Sequence, residues 1–132
     1  MKIKRTIITL LATLLVMISS LTAFAAGNTI SFTAGASAST VKPGDTVSVT
    51  VSISESTGYI LAKANVNYDT KALTFVDYTV DSTLSADKNV YVSVVNKDGY
   101  VAVTVNAKDN ETKIASTGAI AVINFKVVDG FD

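Results

Sequence analysis

The residues of this 132-residue chain with the clearest chemical capacity are its carboxylates, among them Asp69, Asp77, Asp81, Asp87, Asp98 and Asp109. A suitably spaced pair of carboxylates is enough to hydrolyse a glycoside. Each of these six, however, falls in a polar interruption between apolar runs, where a carboxylate normally hydrogen-bonds its own backbone. There is no histidine and no cysteine. That removes the commonest general base, thiol nucleophiles and zinc sites. No serine lies in a nucleophile elbow. Asp98-Gly99 and Asp129-Gly130 resemble fragments of a calcium loop, but neither has oxygen ligands at alternate positions or a closing glutamate. They read as turns. Asn110-Glu111-Thr112 matches the glycosylation triplet, taken as chance in a chain whose leader is of bacterial type. The sequence therefore predicts no catalytic residues, no metal and no cofactor.

The first 25 residues form a separate unit. Lys2, Lys4 and Arg5 precede an apolar run over 7–18, and Ala23-Phe24-Ala25 has the small-x-small form of a cleavage site. This is the layout of a secretory signal peptide cut between Ala25 and Ala26. The alternative is a retained anchor, since 7–26 is about long enough to cross a bilayer. The leader holds three basic residues and no acidic ones, so residues 26–132 carry 8 lysines against 11 carboxylates, a net −3. Nucleic-acid binding needs a basic footprint and is not expected. Residues 26–132 suffice for one domain that buries roughly two-thirds of its unfolded surface.

The chain from 26 onward reads as strands. The organising stretch is 59–78, two strands joined by a polar turn at Asp69-Thr70-Lys71. Along its first limb Ala62, Ala64, Val66 and Tyr68 share one face, and Leu61, Lys63, Asn65 and Asn67 share the other. Other strands are predicted at 28–33, 46–54, 90–95, 100–106 and 119–128, with 34–40 a loop or weak strand. Residues 79–89 and 107–117 read as loops, Ile114 being a core anchor. Proline and glycine in Val41-Lys42-Pro43-Gly44-Asp45 suit a turn, and Gly99 suits a hairpin. No helical period persists, and turns recur every 8–12 residues or so. The expected fold is an all-β antiparallel sandwich.

Strand parity points Leu61, Val95, Ala102, Ile120 and Val122 outward, interleaved with Lys63, Asn65, Tyr91 and Thr104. An apolar patch rimmed by polar groups usually marks an interaction site. The predicted partner-binding set is Leu61, Lys63, Asn65, Tyr91, Val95, Ala102, Thr104 and Val122. Without tryptophan and with scattered tyrosines, a sugar-stacking platform is a weaker reading. A carbohydrate-binding module and a structural or adhesin spacer remain the alternatives.

Read together, the segments VKPGDTVSVTVSIS, LAKANVNYDTKALTFVDY, the hairpin through Asp98-Gly99 and GAIAVINFKVVDG resemble, in order, the cohesin modules of cellulosome scaffolding proteins. The resemblance implies a jelly-roll sandwich without catalytic activity. It implies a dockerin module as partner, the calcium being carried by that partner, in a polysaccharide-degrading complex outside the cell or on its surface. It also implies a binding face built from the family's third, fifth, sixth and eighth strands. The family's recognition asparagine and aspartate on the third strand fall here on Leu61 and Lys63. Its recognition aromatic before the hairpin falls on Val95, and its sixth-strand apolar contact on Thr104. All four depart from the commonest pattern. The chain is expected to lack the family's ninth strand, as a fragment or a divergent protein would.

Overall fold

The computed structural model describes residues 17–24, 30–38, 41–82, 86–109 and 111–129. They form eight strands: β1 (Met17–Phe24), β2 (Ile30–Ala36), β3 (Thr46–Ser56), β4 (Leu61–Asn67), β5 (Leu73–Val80), β6 (Val90–Lys97), β7 (Tyr100–Ala107) and β8 (Gly118–Val127). Every pairing is antiparallel. Two four-stranded sheets result, with orders β1-β4-β7-β6 and β2-β3-β8-β5. The all-β antiparallel sandwich expected from the sequence is the fold observed.

Alternation decides which side of each strand turns inward. In β3, Val47, Val49, Val51 and Ile53 are buried and the intervening residues are not. β7 and β4 do the same from the opposite sheet with Val101, Val103, Val105, Ala62, Ala64 and Val66. Phe125, Ile123, Ile120 and Leu73 complete the interior. Burying a side chain of this size stabilises the fold by roughly 1.5–3 kcal/mol, so this continuous valine-rich layer is the main support of the sandwich. Tyr59 and Ile114 close one end through mutual backbone hydrogen bonds of 2.9 and 2.7 Å, and both are fully buried. Ile114 is thus the core anchor foreseen in the 107–117 loop. Gly44 has φ 87° and Gly99 has φ 81°, so both tight turns use the left-handed backbone that glycine adopts without strain.

Several expectations change. The 59–78 stretch does form two strands about a polar turn, but the turn carries the chain from one sheet to the other. The strand at 28–33 runs on to Ala36, where a loop or weak strand was expected. The strand at 119–128, expected to bring Val122 to the partner-binding face, sits instead between β3 and β5 in the opposite sheet. The lane beside β4 is taken by β1, which comes from the segment read as a leader. The expected cleavage residues Ala25 and Ala26 lie outside the described residues.

Candidate partner-binding face

The outward rows of β4, β7 and β6 form one continuous surface, built by register. Leu61 lies opposite Asn106, and Asn106 opposite Tyr91. The next row is Lys63, Thr104 and Ser93. It is followed by Asn65, Ala102 and Val95, then by Asn67, Tyr100 and Lys97. Seven of the eight sequence-derived residues therefore share a face: Leu61, Lys63, Asn65, Tyr91, Val95, Ala102 and Thr104. On its other flank β4 pairs with β1, Lys63 opposite Thr22 and Asn65 opposite Ser20.

The character of this face is mixed. Tyr91 is 57% exposed and Val95 42%, two of the four large apolar side chains most open to solvent. Ala102 sits low between Asn65 and Val95 and is only 8% exposed, which leaves a shallow apolar floor at the centre. Lys63 and Lys97 are exposed, and Thr104 is half-buried. The Asn65 side-chain oxygen is buried and accepts no hydrogen bond among the described residues.

Two residues depart from the expectation. Val122 points outward, but from β8, where it lies between Thr50 and Thr79 on the outer face of the opposite sheet. It cannot belong to the same surface. Ile120 is fully buried. The pairing of β3 with β8 slips between Val51 and Ser52, leaving Ile120 as an extra residue, and a bulge of this kind reverses the side on which parity places a side chain. Val76 is the mirror case. It is the extra residue where β5 slips against β8, and it is 51% exposed, between the half-buried Phe75 and the exposed Tyr78. A one-residue bulge leaves no mark in the alternation pattern, so sequence reasoning had no signal for either.

The outer face of the other sheet carries a hydrogen-bonded polar rung, with the half-buried Val122 beside it. Ser48 Oγ donates to Asn124 Oδ1 at 2.6 Å, and Asn124 Nδ2 donates to Asp77 Oδ1 at 2.7 Å. These three residues form one rung across β3, β8 and β5, so their hydrogen-bonding capacity is spent within the sheet. The exposed tyrosines Tyr91 and Tyr78 stand on different sheets, in β6 and β5.

Asp69, Asp87 and Asp109 behave as turn residues, whereas Asp77, expected in a polar interruption, stands inside β5. Asp69 accepts from the Lys71 amide, Asp87 from that of Asn89, and Asp109 from those of Glu111 and Thr112, at 2.8 to 3.0 Å. Hydrogen bonds from Thr112 and Glu111 hold the Asp109 carboxyl below the usual range. Among the described residues no group of three or more histidine, cysteine or acidic side chains could hold a metal ion.

Comparison with known proteins agrees with this architecture. The family model described as "Cohesin domain" matches residues 30–130, most of the chain, and the chain belongs to the cohesin family. Cohesin modules are non-catalytic binding domains, in keeping with the lack of histidine and cysteine. A cohesin of Clostridium acetobutylicum, CaCohA2, solved in complex with the dockerin CaDoc0917, is 25% identical with a TM-score of 0.52, over 67% of this chain and 65% of that one. The third cohesin of ScaC from Acetivibrio cellulolyticus, solved with the ScaB dockerin, is 27% identical with a TM-score of 0.52, over 69% and 66%. A type II cohesin module of ScaA from the same organism shares the fold at 21% identity and a TM-score of 0.57, over 76% and 66%. The chain thus spans about two-thirds of the length of these solved chains. Comparison with curated proteins gives no match.

Proposed function

We propose that this chain is a secreted, non-catalytic binding module that captures a dockerin-bearing partner on the outer face of β4, β7 and β6. The observation that carries the reading is the apolar centre of that face, formed by Val95 and Ala102 with Tyr91 and Leu61 nearby, inside a border of Lys63, Thr104 and Lys97. Solvent-exposed apolar side chains grouped within a polar rim are what protein interfaces are made from. The opposite sheet offers a rung of internally satisfied polar groups instead. Two relatives, CaCohA2 and the third cohesin of ScaC, are solved bound to dockerins, which supports the same class of partner here. The basic start, apolar run and Ala25-Ala26 junction support export to the extracellular medium or the cell surface.

The experiment is a binding titration against a panel of dockerins that includes CaDoc0917 and the ScaB dockerin, with calcium present. Capture by the unaltered chain should be weakened roughly thirtyfold by Val95→Asp and left untouched by Val122→Asp. Equal loss in both variants, or in neither, would sink this placement.

A further inference from the structure

The face proposed above carries charge of one sign. Its twelve outward positions on β4, β7 and β6 include Lys63 and Lys97 and no aspartate or glutamate. This is unexpected in a chain whose residues 26–132 have a net charge of −3. The acidic groups have gone elsewhere. Asp77 is bonded to Asn124 on the opposite sheet, and Asp69, Asp87 and Asp109 are turned onto their own loops. Asp98 borders the face at the hairpin tip beside Lys97.

Lys63 is the decisive residue. It is exposed, lies one row from the Asn65–Ala102–Val95 floor, and has no ion pair among the described residues. A solvated ammonium there costs nothing while the face is free. Covering it strips its water, and an ion buried without a counter-charge keeps that desolvation penalty unrepaid. A neutral or basic occupant meets that penalty, whereas an acidic one offsets it and is also drawn in faster. A second copy of this chain, docked through the same face about a two-fold axis, would set lysines against lysines.

We infer that the partner's docking surface is acidic, with one carboxylate opposite Lys63, an apolar side chain over Val95 and Ala102, and a second carboxylate towards Lys97. The two lysines lie two rows and two strands apart, so their Cα atoms are separated by roughly 17 Å. That is about three turns of helix, so a single helix laid obliquely across the face could carry both acidic groups. This inference rests on the reading of the face as the partner site.

The test is a selection with the full chain as bait. The probe is the CaDoc0917 dockerin with its cohesin-facing positions randomised and displayed on yeast, with calcium present. Selected binders should be enriched in Asp and Glu and should bind more weakly as salt rises. The double variant Lys63→Glu, Lys97→Glu, confirmed folded by its melting curve, should weaken them at least tenfold and should itself select basic binders. Binders with neutral or basic surfaces, indifferent to salt and to the double variant, would overturn the acidic-partner inference and leave the binding face standing. Binders that ignore Val95→Asp, or no binders at all, would overturn both. A dimer of the bait that Val95→Asp dissociates would assign the face to a second copy and overturn the inference too.

Discussion

The ring of Tyr68 lies against that of Phe125, centroids 4.8 Å apart and planes inclined at 52°. Tyr68 follows β4 and Phe125 lies in β8, so the pair joins the two sheets. The Tyr68 hydroxyl donates to Asn96 Oδ1 at 2.9 Å, and its backbone N–H donates to the Gly99 carbonyl at 3.0 Å. One residue thereby fixes the β1-β4-β7-β6 sheet to its neighbour and to the β6–β7 hairpin. Tyr68→Phe should keep the ring contact and lose about 1 kcal/mol, the usual worth of one hydrogen bond. Tyr68→Ala should lose about 3–5 kcal/mol, as large-to-small aromatic changes in cores do. Denaturant unfolding of the two variants checks the ratio, and equal losses would show that the ring contact contributes little.

A second expectation separates the two outer faces. Truncating Tyr91 or placing a charge at Val95 should weaken dockerin capture by about 2 kcal/mol each, the scale of an interface hot spot. That is roughly a thirtyfold rise in Kd. Val122→Asp, on the opposite sheet, should leave affinity unchanged. Melting temperatures measured alongside would expose any loss caused by unfolding.

Asn89 is a clamp between loops. Its Nδ2 donates to the Thr112 carbonyl at 3.0 Å, its Oδ1 accepts from the Asp109 amide at 3.2 Å, and its carbonyl accepts from the Lys108 amide at 2.8 Å. Asn89→Ala removes the first two bonds and should cost about 1–3 kcal/mol. Hydrogen exchange should show faster exchange at Asp109, with the β3 amides still protected. Unchanged exchange at Asp109 would count against the clamp.

Tyr59 is fully buried, and its hydroxyl has no hydrogen-bond partner among the described residues. Burial first, and then the nearby Asp87 carboxylate, push its pKa up to about 12. The unfolded tyrosine titrates near 10. Both states hold the proton below that value, so stability is fully present there. Between pH 10 and 12 only the unfolded state releases it, and stability falls as pH rises. Tyr59→Phe should flatten that fall and cost little at neutral pH, because it removes an unsatisfied buried group. Stability curves from pH 7 to 11 check the sign, and a variant whose alkaline slope is unchanged would refute it.

The alternation of Val47, Val49, Val51 and Ile53, and of Ala62, Ala64 and Val66, showed in the sequence which side of β3 and β4 is core, because a pleated strand has a strict period of two. The same rule placed Leu61, Lys63, Asn65, Tyr91, Val95, Ala102 and Thr104 on outward rows. It does not say which strands are neighbours. Whether β8 joins β7 or β3 depends on long-range pairing, and Val122 was therefore assigned to the wrong sheet. Ile120 failed for a local reason, a single extra residue that shifts the count. The charge of the face was present in the letters at 63 and 97, but its meaning required knowing that no acidic residue shares their side.

The central pair of the β2-β3-β8-β5 sheet joins distant parts of the chain, Thr46 opposite Lys126 and Val47 opposite Phe125. On a ribosome, β3 can pair with β2 as soon as it is made, but its other edge stays open until β8 has emerged, so this sheet closes only after β8 is made. Loop closure over such a span makes folding slow compared with a helical protein of equal size. The nascent module therefore keeps one edge of β3 open until β8 has been made.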